Sequence, residues 1–335
     1  MKVAVLGAGS WGTTLASLLS LRSDTTMWAR EPEVVDAIAH RHENPLFLPG
    51  FTLPDRLQAG DDMQRVLHDA AVVVFAVPAQ HFRSVVELAR PFVPAQADLV
   101  SVTKGIEADT CMRMTDIVRQ VLECDPDRIC VLAGPNLARE VMAGHPSATV
   151  IACGDDTRAG RVQRLFMTDS LRVYTNPDVV GCEIGGAVKN VIAIAAGMAD
   201  GLGHGWNTKA ALITRGLAEL ARLGVALGGA PLTFLGLAGN GDLIATCASP
   251  QSRNRGVGEQ LGRGRALAEI LSTMQMVAEG VGSTPGVLTL AARSNVDMPL
   301  CLEVGAVLRG AVDPAEIVAR LMAREAKSEL HDLHA

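Results

Sequence analysis

Along the first half of the chain, short apolar runs alternate with longer stretches whose apolar residues recur at helical spacing. The runs are Lys2–Leu6, Thr25–Ala29, Ala71–Val77, Leu99–Thr103, Ile129–Ala133, Ala148–Ala152 and Leu171–Thr175. Several are apolar almost without a break, the pattern of parallel strands covered by helices on both faces. Such strand–helix alternation predicts a doubly wound α/β sheet. Past Asn176-Pro177 the rhythm changes. Alanine- and leucine-rich segments at Ala187–Ala199, Lys209–Leu223 and Leu261–Met276 carry helical patterning and almost no strand signal. The last helix opens with Asp313 as cap, Pro314 in the first turn and Glu316 completing a capping box. Two domains are predicted, an α/β domain over residues 1–180 and an all-α C-terminal domain over residues 181–335.

The first predicted strand runs into Gly7-Ala8-Gly9-Ser10-Trp11-Gly12, and a predicted helix follows. Gly7, Gly9 and Gly12 have the G-x-G-x-x-G spacing of a dinucleotide-binding turn. Gly7 permits the tight turn, Gly9 admits the pyrophosphate to the backbone, and Gly12 lets the helix lie close to the strand. The helix N-terminus then offers amide groups and a partial positive charge to the phosphates. Strand, turn and helix together predict a Rossmann-type sheet binding a nicotinamide dinucleotide. The second strand ends at Trp28-Ala29-Arg30, where an arginine suits the 2′-phosphate of NADPH. Glu31 follows directly, so NADH remains an alternative, and a solvated surface charge is the plainer reading of Arg30.

The segment Gly185 to Gly197 is apolar almost throughout, yet it contains Lys189. A buried ammonium is costly without a partner or a task. Lys189 is either a proton-transfer group, a lysine that snorkels its charge to water, or a member of a buried ion pair. Asp242, at the end of Gly239-Asn240-Gly241-Asp242, either caps the next helix or holds a cation such as Lys189. Ser252-Arg253-Asn254-Arg255 is a polar, basic stretch suited to a phosphate through bidentate arginine bonds, or else a surface loop. Thr103-Lys104-Gly105 and Gly134-Pro135-Asn136 each follow a predicted strand, where open α/β sheets hold ligands. Arg215 and Glu219 have the spacing to pair along one helix face.

Composition narrows the partners. The chain has 335 residues, a net charge of −6 and few aromatic residues. No general field attracts nucleic acid or acidic membranes, and single-stranded nucleic acid finds few rings to stack on. The seven cysteines show no metal-ligand spacing and read as reduced thiols of a cytoplasmic protein. The histidines form no metal cluster, and His40, His42, His331 and His334 read as surface residues. The apolar run Ile184 to Leu202 contains Lys189 and Asp200 and is not read as a membrane span.

In order along the whole chain, these motifs resemble the bacterial-type NAD(P)-dependent glycerol-3-phosphate dehydrogenases. The resemblance rests on Gly7 to Thr13, Thr103-Lys104-Gly105, Ala133-Gly134-Pro135 and Gly185-Gly186-Ala187-Val188-Lys189-Asn190. It continues through Thr214 to Glu219, Gly239 to Asp242, Gln251 to Arg255 and Glu279-Gly280-Val281. It implies reversible reduction of dihydroxyacetone phosphate to sn-glycerol 3-phosphate for phospholipid synthesis, a Rossmann domain before a helical substrate domain, and a homodimer. Lys189 would be the proton donor and acceptor. Lys104, Gly134, Asn136, Lys189, Asp242, Ser252, Arg253 and Asn254 would contact substrate. Ser10, Trp11, Arg30, Lys104, Ala138, Arg253, Val277 and Glu279 would contact NADPH or NADH, and no metal is implied. Asn136-Leu137 replaces the family's usual Ser or Thr followed by Phe, which puts the contacts at Asn136 in question. Gly256-Val257 replaces its arginine and aromatic after Arg255. The rival readings are another two-domain dehydrogenase acting on a hydroxy acid or sugar acid, and a nucleotide sensor without catalysis.

Overall fold

A computed structural model of the chain describes residues 1–326, so His331 and His334 lie outside the described residues. The chain divides into two compact units, one of residues 1–104 and 112–179, the other of residues 105–111 and 180 onward.

The first unit is a Rossmann-like domain. Its sheet contains β1 (Lys2–Leu6), β2 (Asp24–Trp28), β3 (Gln58–Gly60), β4 (Val72–Phe75), β5 (Asp98–Ser101), β6 (Ile129–Ala133), β7 (Ser147–Ala152) and β8 (Leu171–Asn176). The order across the sheet is β3-β2-β1-β4-β5-β6-β7-β8. Residues of β1 alternate between its two faces. Val3 and Val5 pack with Leu15 and Leu19 of the helix Ser10–Ser20, with Ile38 and with Phe166. Ala4 and Leu6 pack with Phe82, Val86 and Ile117 on the other face. Burial on both faces is why these strands read as unbroken apolar runs. Three features depart from the sequence reading. β3 is a short edge strand without an apolar run. β7 pairs antiparallel to β6, and β8 pairs parallel to β7, so the last two strands reverse direction. The link from β6 to β7 contains only the short helix Ala138–Met142 and a turn at Gly144, whose φ is +78°. So short a link returns the chain from the end it left, as a parallel crossover does not.

The second unit is helical. At its centre the helix Val179–Gly201 is buried from Gly181 to Ala199. By length and composition it could cross a bilayer, but 89% of its most apolar window is buried within the protein, as in a core helix. It packs against the helix Arg253–Gly262 nearly backbone to backbone. A Cβ on Gly258 would lie 2.0 Å from the Ile194 carbonyl oxygen, and one on Gly197 would lie 2.0 Å from that of Arg255. This crossing brings the start of Arg253–Gly262 to the middle of the central helix, the stretch that contains Lys189. The segment Leu261–Met276, expected as one helix, is broken. Arg253–Gly262 ends, Gly264 takes φ +83°, and a new helix begins at Leu267. At the C-terminal end the Asp313 carboxylate accepts the Ala315 N–H at 2.8 Å. It caps a single 3₁₀ turn, Pro314–Glu316, ahead of the helix Ile317–Met322.

Candidate active site

In the first unit, the expected ligand-binding residues gather at the carboxyl ends of β1, β2, β5 and β6. Gly7 takes φ +113°, and a Cβ there would meet the Ala76 carbonyl oxygen at 2.6 Å. A Cβ on Gly12 would meet the Gly7 carbonyl oxygen at 2.2 Å. Gly9 has nothing within 4 Å of a Cβ position, which leaves its backbone open to approach. No side chain caps the helix Ser10–Ser20 that follows. Its first amides therefore remain available to an anion. Trp11 Nε1 is buried without a protein partner. An open glycine, an uncapped helix start and an orphaned indole N–H fit a nucleotide diphosphate.

Arg30 is largely exposed, and its Nη2 and Nε reach Glu31 Oε1 at 2.8 and 3.2 Å. A 2′-phosphate would have to compete with that carboxylate. After β5, Lys104 Nζ donates to the Gly134 carbonyl at 2.7 Å, while Thr103 Oγ1 donates to that of Val77. Gly134 follows β6 with φ +125°. Both carboxamide atoms of Asn136 are buried without a protein partner. Leaving such a group unpaired costs about 1–3 kcal/mol, so it marks a place where a polar ligand belongs. Ala138 begins the next helix, and its carbonyl accepts from Thr14 Oγ1 at 3.2 Å.

In the second unit, Lys189 and Asp242 are both buried, and Nζ lies 2.8 Å from Asp242 Oδ1. Lys189 Nζ also donates to Thr246 Oγ1 at 2.6 Å, and Thr246 Oγ1 donates in turn to the Asp242 carbonyl at 2.6 Å. Asp242 lies inside a helical stretch, after the wide turn Leu237–Gly241, and its carboxylate partners the lysine instead of capping. Thr246 is absent from the residues the sequence singles out. It lies one helical turn beyond Asp242, and that i, i+4 spacing is the signal that could have found it. Next to it, burial pushes the Cys247 thiol up to about 12, against the pull of the Lys189 and Lys209 charges. Cys247 therefore stays protonated and is no rival proton acceptor.

The basic stretch divides its work. Ser252 Oγ accepts the Arg255 N–H at 3.2 Å and caps Arg253–Gly262. Arg255 is tied to Asp200 through Nε and Nη2, each at 2.7 Å, and Lys209 joins the same carboxylate, so this guanidinium braces the fold. Arg253 is exposed, with Nη1 on the Val277 carbonyl at 2.8 Å. Asn254 is buried, donating to Asn190 Oδ1 at 2.8 Å and accepting the Gly280 N–H at 2.9 Å, next to Glu279 at the start of its helix.

Two other expectations are corrected. Glu219 does not pair with Arg215. Its buried carboxylate accepts the N–H groups of Leu300 and Cys301 at 2.7 and 3.1 Å, capping the helix Pro299–Leu308, and burial pushes its pKa up. Arg215 is exposed. His42 is half-buried, with φ 53° at the end of its helix and Nδ1 lacking a partner; His40 is exposed. Among the described residues no group of three or more His, Cys, Asp or Glu side chains could hold a metal ion.

Comparison with known proteins covers almost the whole chain. A family model described as the NAD-dependent glycerol-3-phosphate dehydrogenase N-terminus matches residues 2–159, and its C-terminal counterpart matches residues 178–319. The chain is 49% identical over 331 residues to the glycerol-3-phosphate dehydrogenase [NAD(P)+] 2 of Sphingopyxis alaskensis, covering 99% of each. It is 49% identical to the glycerol-3-phosphate dehydrogenase [NAD(P)+] of Corynebacterium glutamicum strain R, over 98% of this chain and all of that one. A crystal structure of glycerol-3-phosphate dehydrogenase from Coxiella burnetii superposes with a TM-score of 0.92 at 36% identity, over 96% of this chain and 99% of that one. A ketopantoate reductase from Ralstonia eutropha JMP134 shares the fold alone, with a TM-score of 0.59 at 16% identity, over 95% of this chain and 100% of that one.

Proposed function

This chain belongs to the NAD-dependent glycerol-3-phosphate dehydrogenase family, and from that premise we propose its reaction and the roles of its residues. It is an NAD(P)-dependent oxidoreductase that reversibly reduces dihydroxyacetone phosphate to sn-glycerol 3-phosphate, the backbone of glycerophospholipids. The reading of its chemistry rests above all on the ammonium of Lys189, buried in an apolar helix and held by Asp242 and Thr246. The nicotinamide, when bound, supplies the hydride. Gly7, Gly9, Ser10, Trp11, Gly12 and Ala138 hold the diphosphate side of the dinucleotide, and Arg30 meets the 2′-phosphate, favouring NADPH over NADH. Val277 and Glu279 complete the cofactor's surroundings.

As the ketone carbon gains hydride, negative charge builds on its oxygen, and Lys189 first stabilises that charge and then donates a proton from Nζ. Asp242 and Thr246 fix where Nζ points. Arg253 grips the substrate phosphate with its exposed guanidinium, and Lys104, fixed on the Gly134 carbonyl, adds a second cation. Asn136 supplies the orphaned amide, and Ser252 and Asn254, at the start of the helix that contains Arg253, add contacts to the substrate. Binding at the phosphate thereby orients the distant carbonyl. Residues up to 180 serve as the dinucleotide domain and the remainder as the substrate domain of a cytoplasmic homodimer.

Loss of nicotinamide absorbance tests this reading when purified protein and NADPH meet dihydroxyacetone phosphate or, separately, a 2-keto acid. Oxidation with the phosphorylated ketone alone is expected. Oxidation with the keto acid alone would replace this substrate with the hydroxy-acid alternative. Binding of NADPH without any oxidation would leave only the sensor.

A further inference from the structure

A 16-residue stretch, residues 42–57, links the helix Pro32–Arg41 to β3 without regular structure and contains Asn44, a fully buried polar side chain. Every polar atom of the Asn44 carboxamide is engaged. Nδ2 donates to the Ala8 carbonyl and to Thr13 Oγ1, both at 2.8 Å, and Oδ1 accepts the Phe47 N–H at 3.1 Å. Thr13, also fully buried, donates from Oγ1 to the same Ala8 carbonyl at 3.1 Å. The carbonyl at the centre of Gly7-Ala8-Gly9 is thus held by two donors from the protein interior.

The Ala8 carbonyl and the Gly9 N–H belong to one planar trans peptide, so they point in opposite directions. Holding the carbonyl inward aims the Gly9 N–H outward, over the one glycine of the turn with open space above it. Gly9, which has no Cβ, makes this peptide easier to rotate from its side. Rotated by half a turn, it would present a carbonyl oxygen to an anion where an N–H belongs.

We propose that Asn44, seconded by Thr13, is a positioning residue that locks the Ala8–Gly9 peptide in its anion-binding orientation and so sets the affinity for the nucleotide diphosphate. The inference rests on the reading of Gly7 to Gly12 as the dinucleotide turn.

Calorimetric titration with NADPH, and with ADP as the diphosphate fragment, tests it on four full-length proteins. These are the wild type, Asn44→Ala, Thr13→Val and Phe47→Ala, the last loosening the same loop while leaving the bonds to Ala8 intact. Asn44→Ala is expected to weaken both ligands about tenfold, matching the loss of one anchoring bond network. Thr13→Val should weaken both in the same direction by less, and Phe47→Ala should bind both like the wild type. The proposal is overturned if Asn44→Ala binds like the wild type, or if Phe47→Ala loses as much affinity, which would make Asn44 a mere loop support. Should Asn44→Ala not fold, the contrast between Thr13→Val and Phe47→Ala decides by the same criterion. A wild type that binds neither ligand would instead remove the dinucleotide reading itself.

Discussion

Replacing Asp242 by leucine would leave the Lys189 ammonium buried without its counter-charge. At an effective dielectric constant of about 20, unit charges 2.8 Å apart attract by roughly 6 kcal/mol. Removing both groups from water cancels much of this gain, so the intact pair adds little net stability. Breaking it is another matter, because one desolvated charge remains unpaired, at a cost of about 3–5 kcal/mol. Thr246 Oγ1 would still contact Nζ, which places the expected loss at the lower end of that range. Lys189→Met should cost a comparable amount by stranding the carboxylate. Lys189→Met combined with Asp242→Leu should recover most of the loss, since no buried charge is left. Urea unfolding of the four proteins, followed by circular dichroism, gives the coupling energy directly, with about 2 kcal/mol or more expected. The double variant should be folded and inactive, which separates the chemical task of the pair from its part in stability. Single losses that add to within about 0.5 kcal/mol would mean instead that the two charges do not depend on each other.

Three further outcomes are expected. Arg253→Ala should raise the KM for dihydroxyacetone phosphate roughly ten- to hundredfold, the loss of a charge-assisted contact, and steady-state kinetics with an unchanged KM would remove it from the phosphate site. Arg30→Ala should lower kcat/KM for NADPH more than for NADH, with equal losses marking Arg30 as a partner of Glu31 alone. Because burial holds the Glu219 carboxyl above its usual 4.5, the folded chain keeps this proton to higher pH than the unfolded chain, and stability falls as pH rises through that window. Glu219→Gln should remove that slope from urea unfolding measured across the window, and identical slopes in both proteins would contradict it.

What could be read in advance depended on whether the signal was local. β1, β4 and β6 announce themselves because burial on both faces demands an apolar residue at almost every position. The turn at Gly7 to Gly12 is legible because close backbone contacts exclude side chains at two of its glycines. β3 has too few residues to show a period, and the reversal of β7 is decided by which strand it meets, a property of distant residues. The break within Leu261–Met276 had a local signal in Gly262-Arg263-Gly264, outweighed by the leucines and alanines around it.

The site divides in the same way. Lys189 stands out as a charge in an apolar helix, but its chain neighbours do not reveal its partner. Asp242 is 53 positions away, and only folding decides between cap and counter-ion. Arg253 and Arg255 look equivalent in the chain, yet Asp200 engages one of them while the other faces outward. Asn44 is a single asparagine in an irregular loop, and its bond to the Ala8 carbonyl spans 36 positions.

In the proposed mechanism Lys189 delivers the proton in the reduction of dihydroxyacetone phosphate. That role is tested most directly by following NADPH absorbance with and without that ketone, for the wild type and for Lys189→Ala, alongside NADPH binding by fluorescence. Ketone-dependent oxidation is expected of the wild type, together with a Lys189→Ala protein that binds NADPH nearly as well but turns over at least about a hundredfold more slowly. A wild type that ignores the ketone, or a Lys189→Ala protein that keeps its rate, would contradict it.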